Sequence, residues 1–293
     1  MDNDKRVFLE ELALEFDLER MKNLSLFEKF KFDDYITLVY QEALFASKEG
    51  YLHLDKSPNY TKNKTYTLFA MLVVNGTKFE VIKEIILNYA RCFEKSDTNY
   101  SKVATMGIGI MMMMKGYTPD SIFNYLMLLL GRDFLLENKK YSGSPCEYEN
   151  AELELVDEIE YKPFEGELRK LKYDMLALVR LSHEKGHDYV INLINNSYGN
   201  DELIFFFNMM NVQTTETRDY LFDELKKSKS RHRRILINGA YAVLCKLDVV
   251  STHYLFNSII GKYSRYDKDS GEIEREVEVS MNEILGLHER KEA

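Results

Sequence analysis

The residues of this chain best suited to chemistry are His183, Glu184 and His187, which form the pattern H-E-x-x-H. On a helix, this spacing places two imidazoles on one face as zinc ligands, with the glutamate beside them as a general base for a zinc-bound water. A catalytic zinc needs a third protein ligand, for which Glu202 and Glu216 are candidates. The pattern therefore allows a zinc metallopeptidase.

The surroundings of the motif favour a plainer interpretation, the charged end of a helix. Lys185 and Asp188 are charged where a catalytic helix is usually apolar and packed, and Gly186 lowers helix propensity inside the motif. An internal repeat also aligns the motif with a segment that has no histidine pair. We therefore expect a non-enzymatic protein without a cofactor, with the zinc hydrolase as the alternative.

The internal repeat relates two stretches of the chain that lie 136 positions apart. This shift aligns Gly50 with Gly186, Asn75 with Asn211, and Glu80 with Glu216, and it superposes the apolar runs 68–74 and 204–210. The repetition suggests a duplicated helical scaffold, a class of protein that more often binds partners than performs chemistry.

The pattern of apolar residues predicts an all-α protein of two related, repeat-like lobes of helical hairpins. Apolar residues recur at helical spacing, and no proline follows Pro163. The predicted lobes are residues 1–139 and 166–293. Residues 140–165, which are rich in acids and contain a Ser-Gly-Ser-Pro loop, are the predicted linker.

Short sequence motifs predict where helices begin and end and where the chain turns between two helices. A capping box of Thr77 and Glu80 predicts a helix over 78–93, and Thr118 before Pro119 predicts a helix to about residue 136 with a break near Gly131. Residues 271–287 are expected to form a surface helix. The predicted hairpin corners are Asn75-Gly76, Lys115-Gly116, Asn211-Val212 and Lys246-Leu247.

Two apolar clusters could serve as binding faces, but core packing is the better interpretation of both. Met111 to Met114 form a run of flexible side chains, which adapt to irregular partners and also fill cores. Phe205 to Phe207, followed by Met209 and Met210, receive the same interpretation.

Composition bounds the function and the compartment. The formal charge of −9 argues against general nucleic-acid binding. Cys92, Cys146 and Cys245 have no close spacing, which favours a reducing compartment. Neither a secretory signal nor an apolar run long enough to cross a bilayer is visible. We expect a soluble cytoplasmic protein.

Two charged segments could dock partners. Acidic residues cluster over 147–160, where they form either a solvated linker or a docking segment for a basic partner. A basic run around His232 is either a solvated helix end or a dock for an acidic partner, including the 147–160 segment of another copy. The basic residues of this run are Lys226, Lys227, Lys229, Arg231, Arg233 and Arg234.

Residues 46–55 and 72–82 resemble the cytoplasmic module of the flagellar motor stator MotA family, over about residues 32–90. The resemblance implies a non-enzymatic adaptor or scaffold with rotor or stator proteins as partners. In that family, charged residues of the first stretch face the rotor, which implies contacts through Lys48 and Asp55, with Glu49 beside them.

The chain departs from the family at two points. Ser47 stands where the family usually has a second basic residue, and the membrane helices of an ion-conducting stator are missing. The resemblance therefore implies a soluble relative that docks by charge complementarity. The alternative is a helical-repeat interaction protein of an unrelated pathway.

Overall fold

The computed structural model describes residues 3–137, 145–153, 158–161, 166–212, 214–263 and 266–292, and every regular element in these ranges is a helix. The all-α prediction is confirmed. The chain forms two compact units, Met1–Glu160 and Tyr161–Ala293, so their boundary falls within the predicted linker. Residues 140–144, 154–157 and 162–165 of that linker lie outside the described residues.

Unit 1 contains nine α-helices and two short 3-10 turns in its described part. The helices are α1 (Asn3–Glu15), α2 (Leu18–Lys22), α3 (Leu26–Lys31), α4 (Asp33–Glu49), α5 (Lys64–Val74), α6 (Phe79–Arg91), α7 (Asp97–Met114), α8 (Pro119–Leu128) and α9 (Arg132–Glu137). The 3-10 turns are Tyr51–Lys56 and Pro145–Tyr148.

Unit 2 contains seven α-helices in its described part, with a π-helical turn, Ile194–Tyr198, after the second. The helices are α10 (Glu167–Lys185), α11 (His187–Leu193), α12 (Asp201–Met210), α13 (Thr215–Leu225), α14 (Arg231–Leu244), α15 (Val249–Ile260) and α16 (Tyr266–Glu292). None of the helices in the described ranges combines the length and apolar character that a membrane crossing needs.

All four predicted hairpin corners lie between helices: α5 and α6, α7 and α8, α12 and α13, and α14 and α15. Gly76 and Gly116 adopt left-handed backbone conformations with φ of 72° and 69°, where a Cβ atom would be strained. The corner after α14 uses Lys246 in the same region, with φ of 53°.

The helix starts agree with the sequence signals in one case and differ in the other. Thr118 caps α8 by accepting a hydrogen bond from the Ser121 backbone N–H, and the predicted break near Gly131 separates α8 from α9. By contrast, Lys78 occupies the N-cap position of α6 without a side-chain capping bond. The helix thus begins at Phe79, one residue later than the start at Lys78 that the capping box predicts.

Glycines let the longest helix of unit 1 approach its neighbours closely. A Cβ atom at Gly109 of α7 would overlap Val39 of α4, and one at Gly107 would overlap Ile86 of α6. In unit 2, a Cβ atom at Gly239 of α14 would press on Met175 of α10. Helix pairs with small residues at the contact can pack at short interaxial distances.

One partner of these close contacts lies at the 136-position offset of the sequence repeat, and the other lies at a shorter offset. Val39 and Met175 lie 136 positions apart, and Gly109 and Gly239 lie 130 positions apart, as do the corners at Gly116 and Lys246. The backbones also agree at Gly50 (φ 91°, ψ 143°) and Gly186 (φ 94°, ψ 160°). The kinship of the two units stays a prediction, with these correspondences in its favour.

The prediction that both apolar clusters belong to the core fails at one residue. Met111, Met112 and Met113 are buried in α7, as a core interpretation requires. In α12, Phe206 and Phe207 are buried, but Phe205 is 56% exposed, so the core prediction is wrong for Phe205. Successive residues on a helix point about 100° apart, so three consecutive side chains are all buried only where the helix is covered on several sides, as α7 is and α12 is not.

The predicted surface helix near the C-terminus is α16, and it packs on α10. Its buried side chains Ile273, Val277 and Ile284 follow the expected helical spacing. Ion pairs flank this apolar seam. Arg169 Nη2 lies 3.1 Å from Glu272 and 3.2 Å from Glu276, and Lys170 Nζ lies 2.7 Å from Glu283.

The glycine contacts lead to a ranked stability prediction. Gly109→Ala should lower the free energy of unfolding by about 1–3 kcal/mol, because β-branched Val39 cannot move away without strain. Gly239→Ala should cost less because Met175 is flexible.

The matched control is Gly271→Ala, at an exposed helical position where nothing lies within 4 Å of the new Cβ. It should raise stability by about 0.5–1 kcal/mol. Thermal unfolding followed by circular dichroism would rank the stabilities of the three variants. An unchanged melting temperature for Gly109→Ala would contradict the close packing of α7 against Val39.

Candidate functional site

The H-E-x-x-H motif does not lie on one helix. α10 ends at Lys185, Gly186 has φ of 94° and ψ of 160°, and α11 begins at His187. His183 belongs to the end of α10, where its Nε2 lies 3.0 Å from the carbonyl oxygen of Leu247. The helical premise of the zinc prediction is therefore wrong, and the motif coincides with a helix end.

The two candidate third ligands of the motif occupy other settings. Glu202 Oε1 lies 3.0 Å from Arg233 Nη2, and Glu202 Oε2 lies 3.8 Å from His232 Nδ1. Glu216 lies in the first turn of α13, where its negative charge interacts favourably with the positive end of the helix dipole. Within the described ranges, no group of three His, Cys, Asp or Glu side chains could hold a metal ion.

The stretch that resembles the stator module forms the end of α4 and the 3-10 turn after it. Lys48, Glu49 and Asp55 are all exposed. Lys48 Nζ lies 3.7 Å from Glu149 Oε1, and the backbone carbonyl of Glu49 accepts a hydrogen bond of 2.7 Å from His53. An exposed ion pair of this kind contributes about 0–1 kcal/mol, so it would not prevent a partner from reaching Lys48.

Two residues of the predicted basic patch are buried. Lys226 is 9% exposed, with Nζ 2.7 Å from Asp223 and over the Phe222 ring at 5.2 Å from its centroid. Arg234 is 8% exposed at the first turn of α14. These two side chains lie inside unit 2 and do not offer a surface to a partner.

The other basic residues lie nearer the solvent, and two of them have acidic neighbours. Lys227 Nζ lies 2.6 Å from Glu224, and Arg233 pairs with Glu202. Arg231 is half-buried at the start of α14, and Lys229 is exposed. The basic run therefore forms a surface of paired charges rather than the continuous positive patch that the sequence suggests.

Lys227 and Arg233 line a groove of about 620 Å³ between α12, α13 and α14, which we name the α12–α14 groove. Phe205, Phe206 and Ile237 contribute apolar side chains to its lining. The rings of Phe205 and Phe206 meet edge to face with centroids 5.5 Å apart. Its other lining residues are Asp201, Glu202, Glu224, Leu225 and Ser228.

The groove can accept an apolar side chain and surround it with charges of both signs. Phe205 is the functional candidate that sequence reasoning missed, because the triple phenylalanine was assigned to the core as a whole. The 100° turn per residue leaves one member of such a triplet outside the buried face only when a helix is covered on one side, and the sequence does not show that α12 is such a helix while α7 is covered on several sides.

A buried carboxyl network holds the middle of α4. Glu42 is fully buried and accepts hydrogen bonds from the hydroxyls of Ser57 and Tyr66, the latter at 3.2 Å. Burial raises the pKa of Glu42 to about 7, outweighing the opposing effect of these hydrogen bonds. The network fastens the segment between α4 and α5 to the core of unit 1.

A buried amine network joins α10 to α15 in unit 2. Lys172 Nζ donates to Asn257 Oδ1 at 2.7 Å, and the Asn257 amide lies 2.8 Å from His253 Nε2. Since Asn257 uses its oxygen for the lysine, its nitrogen donates to His253, whose Nε2 must be unprotonated. Burial, with the charges of Lys262 and Arg169, lowers the pKa of Lys172 to about 7.

The spacing of apolar residues in the sequence places Glu42 and Lys172 on the buried faces of their helices. Glu42 follows Val39 by three positions and Lys172 follows Leu168 by four, so each falls on the buried stripe of its helix. Neither position reveals its partners, because Tyr66 and Asn257 lie far along the chain.

The Glu42 network predicts that unit 1 becomes less stable as pH rises from about 4.5 to about 7. In this range the folded state holds a proton that the unfolded state releases, so stability falls with pH. The full effect is on the order of 3 kcal/mol. Urea unfolding of wild type and Glu42→Gln at pH 5 and pH 8 would measure it. Equal pH dependence in both proteins would contradict this account.

The Lys172 network predicts the opposite slope at higher pH. Between about 7 and 10.5 the unfolded state binds a proton that the folded state lacks, so stability rises with pH. Lys172→Met should reduce this rise between pH 6.5 and 9, by an amount on the order of 3 kcal/mol. Urea unfolding provides the measurement. The exposed Lys185 gives a control variant, Lys185→Met, that should keep the wild-type slope.

Comparison of the chain with models of protein families, with curated proteins and with solved structures found no match in any of the three.

Proposed function

We propose that this chain is a non-enzymatic adaptor or scaffold that binds a protein partner in the α12–α14 groove. The observation that carries the proposal is Phe205, a phenylalanine that is 56% exposed and lines a groove of about 620 Å³ beside Phe206 and Ile237. Exposed aromatic side chains next to buried apolar ones are typical anchors of protein interfaces.

The exposed side chain of Phe205 can contribute part of the free energy of binding. Covering the exposed part of one phenylalanine removes roughly 100 Å² of apolar surface from water, which contributes about 2–3 kcal/mol. Phe206 and Ile237 extend the apolar surface into the groove, so a partner side chain can be enclosed on several sides.

The charges around the groove indicate the chemistry of the partner. Lys227 and Arg233 are paired with Glu224 and Glu202, so the edge of the groove carries charges of both signs and does not select a run of acidic residues. A segment with an apolar anchor and flanking polar groups would leave the pairs in place. Charge complementarity then orients the partner, and apolar contact provides most of the affinity.

An amphipathic helix of the partner protein is the segment we propose as the occupant. Three helices of unit 2 bound the groove, and helices commonly bind in such grooves through apolar residues at i, i+3 or i+4. The comparisons lend no support to a place in the flagellar motor, and binding at this groove does not depend on one.

The test compares Phe205→Ser with a matched control, Tyr220→Ser. Tyr220 is 65% exposed on α13 and does not line the groove. A partner captured by the wild-type chain from the source cells would be identified and purified, and its affinity measured by calorimetry. Phe205→Ser should weaken binding roughly tenfold or more, because it removes the exposed anchor. The control should bind as the wild type does.

The proposal fails if Phe205→Ser and Tyr220→Ser retain the same proteins with the same affinity while both keep the wild-type circular dichroism. Both substitutions lie on exposed positions, so loss of folding is not expected to obscure the result.

A further inference from the structure

We propose that α4 and α8 of unit 1 form a peptide-binding site, and that residues 145–151 of the chain occupy this site as an internal ligand. We name these residues the Tyr148 segment, and the surface beneath them the α4–α8 face. The site takes a partner segment that contains a tyrosine followed directly by an acidic residue. It belongs to unit 1, so it is independent of partner binding in the α12–α14 groove of unit 2.

One aromatic side chain anchors the Tyr148 segment. Tyr148 is 8% exposed, and the centroid of its ring lies 4.8 Å from that of Phe123 on α8. Phe123 also meets the ring of Tyr40 on α4, with centroids 5.3 Å apart. All other residues of the segment are exposed or half-buried. A single buried ring between exposed neighbours is typical of the anchor of a bound peptide.

Gln41 of α4 binds the backbone of the segment. Its Nε2 donates to the carbonyl oxygens of Tyr148 and Ala151, at 3.1 Å and 2.7 Å. Asn59 Nδ2 donates to Gln41 Oε1 at 2.8 Å, which fixes the orientation of the Gln41 amide. Hydrogen bonds to the main chain hold a segment whatever its side chains are, so the contact of the tyrosine ring with Phe123 supplies the selectivity.

The residue after the tyrosine meets an opposite charge. Glu149 Oε1 lies 3.7 Å from Lys48 Nζ, near the end of α4. Asp120 of α8 carries the same sign as the segment, and its carboxylate accepts a hydrogen bond from the Tyr40 hydroxyl at 3.4 Å. An exposed ion pair adds little affinity, so Lys48 orients the segment and the buried ring holds it. The face therefore selects an acid at one position and not a run of acidic residues.

In unit 2, the predicted counterpart of this face is covered by a whole helix. The sequence repeat aligns the end of α4 at Gly50 with the end of α10 at Gly186, and α16 packs on α10 and α15. The apolar side chains that α16 buries are Ile273, Val277 and Ile284. The Tyr148 segment buries only its tyrosine. It therefore removes less apolar surface from water than α16 does, and it is easier to displace.

Attachment to the same chain favours the internal ligand over a free one. A tethered segment acts at an effective concentration on the order of millimolar, so a free peptide at micromolar concentration does not displace it. Weakening the Tyr148 segment by substitution should therefore open the α4–α8 face to a peptide. If the contact served folding alone, the same substitution would leave no binding site behind.

The experiment measures the fluorescence anisotropy of a labelled synthetic peptide with the sequence of residues 145–153, carrying Cys146→Ser to prevent oxidation. The full chain with Tyr148→Ser should bind this peptide roughly tenfold more tightly than the wild type, because its own segment has lost the anchor. Adding Gln41→Leu should abolish the gain. Glu149→Lys, at an exposed position where loss of folding is not expected, should give a smaller gain of the same sign.

Matched controls separate this site from general effects of substitution. A peptide with Tyr148→Ser should not bind the chain whose own segment is weakened. A peptide with Glu147→Gln should bind as the parent peptide does, because Glu147 is exposed in the segment. The full-chain variants Tyr220→Ser and Phe205→Ser should bind the parent peptide as weakly as the wild type, which keeps this site distinct from the α12–α14 groove.

Three results would overturn the inference: equal peptide binding by Tyr148→Ser and the wild type, a gain that survives the addition of Gln41→Leu, or equal binding of the peptides with tyrosine and with serine. Circular dichroism of each variant checks that it keeps the helix content of the wild type. None of these results involves Phe205→Ser, so failure of this inference leaves the test of the α12–α14 groove intact.

Discussion

Close approach of helices at glycine is the constraint on which unit 1 depends. Without side chains at Gly107 and Gly109, α7 lies directly against Ile86 of α6 and Val39 of α4. This contact fixes the position of α4, whose middle turn carries Glu42 and whose end carries the exposed stretch around Lys48. Close-packed interiors transmit such constraints because few voids exist to absorb a shift.

Each unit places an ionisable group inside the core on the helix that the glycine contact positions. Glu42 on α4 and Lys172 on α10 are both buried and hydrogen-bonded by residues from other segments. Buried polar groups cost free energy unless they are satisfied, and their partners must therefore hold a fixed geometry. Such networks favour one arrangement of the segments around them over competing packings of the same apolar residues.

Local structure was more predictable from the sequence than the site. The corners at Asn75-Gly76 and Lys115-Gly116 follow from chemistry within a few residues, and so does the start of α8 at Pro119. The site depends on distant contacts. Phe205 is exposed because of what its neighbours bury, and Arg233 pairs with Glu202 across 31 positions.

The left-handed corner at Lys246 shows that the packing of α14 and α15 sets the backbone there, since lysine has no preference for φ of 53°. The strain costs about 1 kcal/mol, which two well-packed helices can offset. A hairpin corner of this kind can therefore persist during evolution after its glycine has been replaced. Divergence would then erase the sequence signature of a repeated unit long before it erased the shape.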